Sequence, residues 1–289
     1  MIFYIFATNK FQMKKIYLLI FCIFLATNSF AQKKEKIKGN KVITIVKSEV
    51  TPFTEIEIED NLEVYLIKGD KNSIEVETDE NLHAEINHKT YGNTLRLNTN
   101  KEISGFKKLE VRVIYTDSLK LITTRHEGKL NILTAISIPN VTVKTFDFSK
   151  AIININSPKF TLLANDKSKV ELNLKSQDAF VEMSKNSEIK AMISSPKLKF
   201  DMYQKSEAIV EGDVAEMTIR LDNNAKYEGR KLVTKSLDLT CEGNTNCYVN
   251  TNGSLNISAN SKSEIYIYGD PKIELKKFTG DATLYKKSK

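Results

Sequence analysis

Histidine, cysteine and proline are all scarce in this 289-residue chain, at three, three and five copies. The histidines are His83, His88 and His126. His83 and His88 stand five apart, and neither belongs to a Cys/His/Asp cluster at metal-ligand spacing, so they read as loop histidines and no metal site is expected. There is no glycine-rich phosphate loop and no Gly-x-Ser-x-Gly nucleophile turn, so neither the usual nucleotide-binding nor the usual acyl-transfer signature is present and no cofactor is called for. Beyond residue 25 no apolar stretch approaches the roughly 20 residues needed to span a bilayer. A charge of one sign is also missing. There are 43 Lys+Arg against 36 Asp+Glu, and the first 31 residues contribute Lys10, Lys14 and Lys15 with no acid. The remainder is thus 40 against 36, with signs interleaved. A nucleic-acid binder concentrates its cations on one face, so this balance speaks for solubility and against a nucleic-acid partner.

The N-terminus reads as an export signal over residues 1–31. Met13-Lys14-Lys15 supplies a positive start, Ile16 to Leu25 an apolar run of ten, and Ser29-Phe30-Ala31 the small residues a signal peptidase reads. Met13 is then a candidate start and Gln32 the first mature residue. Cys22 is preceded by Phe21, where a lipoprotein site needs a small residue, which argues against a lipid anchor. The expected location is extracytoplasmic: periplasmic, outer-membrane-associated or extracellular. Residues 32–40 are taken as a linker and 287–289 as a tail.

What the chain has in abundance is alternation. Runs such as Phe53-Thr54-Glu55-Ile56-Glu57-Ile58 and Leu109-Glu110-Val111-Arg112-Val113 switch between apolar and polar at every step, the pattern of half-buried strands. Helical spacing is not sustained anywhere after the signal, and no proline breaks these runs. From residue 141 the alternation acquires a period. Segments aligned on Val141, Phe160, Phe180, Leu198, Met217, Leu237, Leu255 and Ile273 recur every 18 to 20 residues. Each opens with apolar-x-apolar and continues to a small polar, charged, apolar triplet, as in Ser149-Lys150-Ala151, Ser168-Lys169-Val170, Ser187-Glu188-Ile189 and Ser263-Glu264-Ile265.

A period of about 19 is too short for a strand–helix–strand crossover, but it fits one rung of a solenoid. The chain is therefore expected to be all-β, a single-domain right-handed parallel β-helix over residues 41–286. Eight rungs at roughly 4.8 Å each give a rod on the order of 38 Å long. A β-sandwich would space its strands without repeating side-chain identity. Residues 41–118 repeat less cleanly and are either irregular rungs or an antiparallel cap. At the other end Lys286-Lys287-Ser288-Lys289 is expected to discourage end-to-end pairing.

The ordered set of Phe53-x-x-Ile56-x-Ile58, Val64-x-Leu66-x-x-Gly69, Glu80-Asn81-Leu82, Leu95-x-Leu97, Leu109-x-Val111-x-Val113-x-Tyr115, the Ser-x-apolar rungs and Tyr268-Gly269-Asp270-Pro271 resembles the Bacteroidetes-type GIN-domain family of autotransporter-adhesin head domains. The resemblance spans roughly residues 41–286 and implies an extracytoplasmic β-helix of adhesion type. This chain departs from that family's glycine-rich turns, using Ser-Lys, Ser-Glu and Asn, so a shared binding surface does not follow.

Three features bear on function. Acids fall near each turn (Asp147, Asp166, Glu188, Glu207, Asp222, Glu242, Glu264) and alternate with Lys150, Lys169, Lys185, Lys205, Lys226 and Lys262, which reads as a charge-balanced edge rather than a paired acid site. Cys241 and Cys247 both point inward across the turn 242–246, either as a disulfide or as two core thiols. Tyr248, Tyr266, Tyr268 and Tyr285 occupy outward positions of the last rungs. They form either a strip for a sugar ring or partner protein, or a surface covered by another segment or a second subunit. The leading reading is a non-catalytic envelope or surface binding module for a glycan or envelope protein, capable of homo-oligomerising. The alternative is a carbohydrate-active β-helix enzyme.

Overall fold

The computed structural model describes residues 34–288, so the expected signal and Cys22 lie outside the described residues. The unit spanning Lys36 to the C-terminus is a β-solenoid of about 9 turns with rungs of about 19 residues. Its regular part begins with β10 (Leu121–Thr124), β11 (Lys129–Ser137) and β12 (Asn140–Thr145). It continues through β13 (Lys150–Ala164), β14 (Lys169–Met183), β15 (Glu188–Met202), β16 (Glu207–Leu221), β17 (Lys226–Cys241) and β18 (Asn246–Ala259). It closes with β19 (Glu264–Tyr268), β20 (Lys272–Phe278) and β21 (Thr283–Lys286). Every pairing from β10 to β21 is parallel.

Each long strand is one rung. In β13 the chain runs through Lys150–Asn156, bends at Ser157-Pro158, and returns through Lys159–Ala164 before a four-residue turn. The first arm buries Ala151, Ile153 and Ile155, and the second buries Phe160, Leu162 and Ala164. Inward residues of successive rungs stand directly over one another and form one continuous core. No rung can bury that row alone, so each is stabilised by the rungs on either side.

The register corrects one point of the sequence alignment. Phe160 stands under Ala179, not Phe180, and Ala179 stands under Leu198. The spacings in this column are therefore 19, 19, 19, 19, 20, 18 and 18. Phe180 points outward with the Lys199 ammonium 5.0 Å from its ring centre. Ring size had drawn the alignment by one residue, and in a strand one residue reverses the face.

The turns carry their own ladder. Left-handed backbone recurs at Asp147, Asp166, Lys185-Asn186, Gln204-Lys205, Asn223-Asn224, Gly243 and Ser261. The small triplet residue follows each such turn, a serine at five of them and Ala225 and Thr245 at the other two. Ser149, Ser168, Ser187, Ser206 and Ser263 are fully buried, small enough to fit the inside of the corner. The amides of Ser149, Ser168, Ser187 and Ser206 close the turn by donating to the carbonyl three residues back.

Residues 36–118 realise both sequence alternatives at once. The strands are β1 (Lys36–Lys38), β2 (Ile43–Glu49), β3 (Glu55–Ile58), β4 (Glu63–Lys68), β5 (Ser73–Asp79), β6 (Ile86–Tyr91), β7 (Thr94–Thr99), β8 (Glu102–Ser104) and β9 (Leu109–Tyr115), with a 3₁₀ segment at Glu80–Glu85. β3 and β4 pair in parallel with β10 and β11, and on their other side with β7 and β9. The outermost strands are antiparallel: β6 on β7, and β2 on β5 on β9. On that cap Arg112 joins Glu75, Glu77 and Glu110 at 2.6, 3.1 and 2.5 Å. Beneath it the enclosed Asp79 carboxylate accepts from the amides of Lys41, Lys107 and Lys108. Two expected boundaries shift. Lys36–Lys38, assigned to a linker, pairs with β8, because its alternating Ile37 packs against the core. Lys287, assigned to the tail, donates its amide to the Ile267 carbonyl and belongs to the last rung.

Candidate binding face

The outward side of the first arm is where the sequence placed its candidate residues. One column there runs Asn131, Ile152, Glu171, Lys190, Ile209, Glu228, Tyr248, Tyr266 and Tyr285. Ile152 and Ile209 are exposed within it, and Met192 is exposed one column over. The rung offset puts three of the four predicted tyrosines on top of one another. Ring centres of Tyr248 and Tyr266 are 4.4 Å apart with planes at 7°, and those of Tyr266 and Tyr285 are 4.9 Å apart at 14°. These separations match the strand spacing of a sheet, so the stack costs the backbone no distortion. Tyr268 does not join it. It lies one column over, paired with Asn250.

Cations complete the ladder. The Arg230 guanidinium, from the preceding rung, lies 5.2 Å from the Tyr248 ring centre while binding Glu228 at 2.6 and 2.7 Å. The Lys287 ammonium is 5.1 Å from Tyr266 and 5.4 Å from Tyr285. The Tyr266 hydroxyl donates to Glu264 Oε2 at 2.9 Å. That bond, with burial second, pushes its pKa up to about 12, so Tyr266 is neutral at any physiological pH.

The geometry refines what the tyrosines can do. Stacking a sugar on an aromatic ring needs a free ring face. Both faces of Tyr266 are occupied by Tyr248 and Tyr285. What the ladder presents outward is ring edges and hydroxyls at rung spacing. At the ends of the ladder no further tyrosine follows among the described residues: Tyr248 has the Arg230 guanidinium over its ring, and Tyr285, on the last rung, is 41% exposed.

The other sequence candidates are dispersed. The turn acids engage lysines of adjacent rungs one by one: Glu188 with Lys169 at 2.8 Å, Glu207 with Lys226 at 2.8 Å, Asp166 with Lys185 at 3.3 Å. A ring nitrogen of His83 is 2.9 Å from Thr44 Oγ1, His88 is half-buried on β6, and His126 occupies a left-handed turn. No group of three or more potential ligands for a metal ion occurs among the described residues. Cys241 and Cys247 are both buried and both free thiols in this structure. Burial, and a hydrogen bond with Cys241, hold the Cys247 thiol well above its ordinary pKa.

One feature escaped the sequence reading. At the bend between the arms a groove of about 1080 Å³ runs across the rungs, lined in part by Pro139, Pro158, Pro196, Val214 and Ala215. Beneath it the buried Ser157, Ser176 and Ser195 each donate to the carbonyl two residues on, at 2.8, 3.0 and 2.7 Å. The signal was available: three of the five prolines recur at multiples of 19 residues. A proline is tolerated there because the bend needs no ladder N–H.

The comparisons with known proteins fall on the same fold. A family model described as "Putative auto-transporter adhesin, head GIN domain" matches residues 52–271. The chain belongs to the GIN-domain family. Its fold is also that of solved structures at low identity. A protein of Parabacteroides merdae titled a "putative adhesin" is 15% identical with a TM-score of 0.63, over 88% of this chain and 99% of the other. One from Parabacteroides distasonis, also titled a "putative adhesin", is 16% identical at TM-score 0.61, over 88% and 98%. A second from that organism, titled a "putative lipid binding protein", is 16% identical at TM-score 0.59, over 88% and 100%. No curated protein matches. No helix among the described residues is long and apolar enough to cross a membrane.

Proposed function

We propose that this GIN-domain protein is an exported, non-catalytic module of the cell envelope or surface that holds its partner, a glycan chain or an envelope protein, along the first-arm face. The observation that carries this reading is the in-register column of Tyr248, Tyr266 and Tyr285 flanked by Arg230 and Lys287. Aromatic edges, hydroxyls and cations repeated at fixed spacing on a rigid sheet suit an extended partner lying across several rungs. They suit a single enclosed small molecule less well. Contacts spread over rungs add to one another without any rung having to move.

The test is binding of Tyr266→Ala and Tyr285→Ala proteins to glycan arrays and to envelope-coated surfaces. Phe180→Ala, on the outward side of the opposite arm, is the comparator. Loss in the two tyrosine variants with retention in the third supports the reading. Wild-type binding by both tyrosine variants overturns it.

A further inference from the structure

The two ends of the rod are finished differently. At the N-terminal end the core is closed by the antiparallel strands β6 and β2–β5. At the C-terminal end the last rung is open. Among the described residues β20 pairs only with β18, and β21 only with β19, so each presents a free edge. All seven residues of β20 are exposed. Three of them continue core columns: Ile273 stands over Leu255, Leu275 over Ile257 and Phe278 over Ala259. Their counterparts one rung back are at most 1% exposed, whereas these are 40%, 51% and 36% exposed. A free edge carrying uncovered core residues is a template for another strand.

The lysines that should guard this end are turned aside. The Lys286 ammonium donates to the Gly269 carbonyl and pairs with Asp270 at 3.6 Å, while the Lys287 ammonium lies against Tyr266 and Tyr285. Both lie along the side of the rod, so the lysines left at the end are Lys272, Lys276 and Lys277 of β20 itself.

We infer that the C-terminal end of the rod docks against the same end of a second copy, β20 pairing antiparallel with β20 across a two-fold axis. The sequence of β20, Lys272-Ile273-Glu274-Leu275-Lys276-Lys277-Phe278, is self-complementary in this arrangement. Residues directly opposite in an antiparallel pair must share a face. The register that sets Glu274 opposite Lys277 of the second copy meets this condition, because both continue outward columns, over Asn256 and Ser258. The same register sets Ile273 opposite Phe278 of the second copy, both inward. Lys276 is set outside regular pairing by the register shift between Ile257 and Ser258, so the residue at the axis is Leu275, which is inward and meets its own copy. Two ion pairs and two apolar pairs thus form by symmetry, and a two-fold contact closes on itself as a dimer. Seven residues at about 3.3 Å give a face some 23 Å long, and two arms make it on the order of 500 Å² per copy. Roughly 1,000 Å² in total is the lower limit for a specific interface, so the dimer is expected to be of micromolar order.

The test is sedimentation velocity over a concentration series on the full chain, with small-angle scattering on the dimer. The expected result is a reversible monomer–dimer equilibrium and a near doubling of the longest dimension. Leu275→Lys, at a half-exposed position, should abolish dimerisation with an unchanged melting midpoint. Glu274→Lys and Lys277→Glu alone should each weaken it about tenfold or more, and together should restore it. A protein monomeric throughout overturns the inference. So does a dimer indifferent to Leu275→Lys, or a double charge swap that fails to restore pairing. Open-ended association overturns it too, since that would point to a head-to-tail contact using the exposed apolar residues Val42, Ile45 and Val46 at the other end.

Discussion

Phe200→Ala tests the stacked core most sharply. Phe200 is fully buried, stands over Val181 and under Ile219, and meets the Tyr227 ring edge-on at 5.6 Å. Removing the ring forfeits about 2 kcal/mol of burial. An unfilled space of roughly 80 Å³ adds about 2 kcal/mol at ~24 cal/mol per Å³. The lost edge-to-face contact adds ~0.5–1.5 kcal/mol. The sum, about 4.5–5.5 kcal/mol, corresponds to a fall in melting midpoint of roughly 9–22 °C for a domain of this size. Urea denaturation followed by far-UV circular dichroism, with a thermal scan, measures both. The comparator is Phe180→Ala, the ring that the register turns outward. It loses only a lysine–ring contact and should cost about 0.5–1 kcal/mol. Should Phe200→Ala cost less than about 1 kcal/mol, or should the two variants prove equal, the assignment of inner and outer columns is wrong.

Three further outcomes follow from particular contacts. At Gly212, with φ +118°, an added Cβ would sit 2.1 Å from the Ile193 carbonyl oxygen, so Gly212→Ala should lower the urea midpoint markedly while Gly92→Ala, at a turn with open space, should matter far less. Glu75 and Glu77 are held below the usual carboxylate range, chiefly by hydrogen bonds from Lys47 and from Lys108 respectively. Asp79 is pushed up by burial but pulled further down by the amides of Lys107, Lys41 and Lys108. Depressed carboxylates contribute stability that is present above their unfolded pKa values and lost as pH falls through the folded ones. Urea midpoints should therefore decline as pH falls below about 4, and less steeply in Asp79→Asn. The raised pKa of Tyr266 acts in the opposite direction: its contribution is complete below about 10 and disappears as pH rises towards about 12. Spectrophotometric titration should show this late-ionising tyrosine, and Glu264→Gln should bring it down.

Much of this was legible in the sequence because a solenoid writes each inner column once per rung. Ser149, Ser168, Ser187, Ser206 and Ser263 marked the corners, and the spacing of Tyr248, Tyr266 and Tyr285 announced a ladder. Two kinds of information were not written that way. Phase within a rung was misread at Phe180, where a large ring beside the small Ala179 looked like the core residue. The N-terminal cap, from β2 to β9, breaks the period: its strands reverse direction, so alternation showed strands there without showing their partners. The ladder's occupied faces were likewise hidden, since spacing places tyrosines in a column without giving the tilt of their rings.

The in-phase columns also govern how such a chain can change over time. An outward residue answers only to the residue before and after it in its column, so the exterior can diverge while the interior keeps its register. That accords with a TM-score of 0.63 at 15% identity. An insertion of one whole rung at a left-handed turn would lengthen the rod and leave every column intact. A single inserted residue would turn the inner row outward unless a bulge absorbed it, as happens where Ile209 faces Glu228 but Glu211 faces Lys231. Length is thus the property this architecture can vary most freely, and with it the distance at which the rod presents its face.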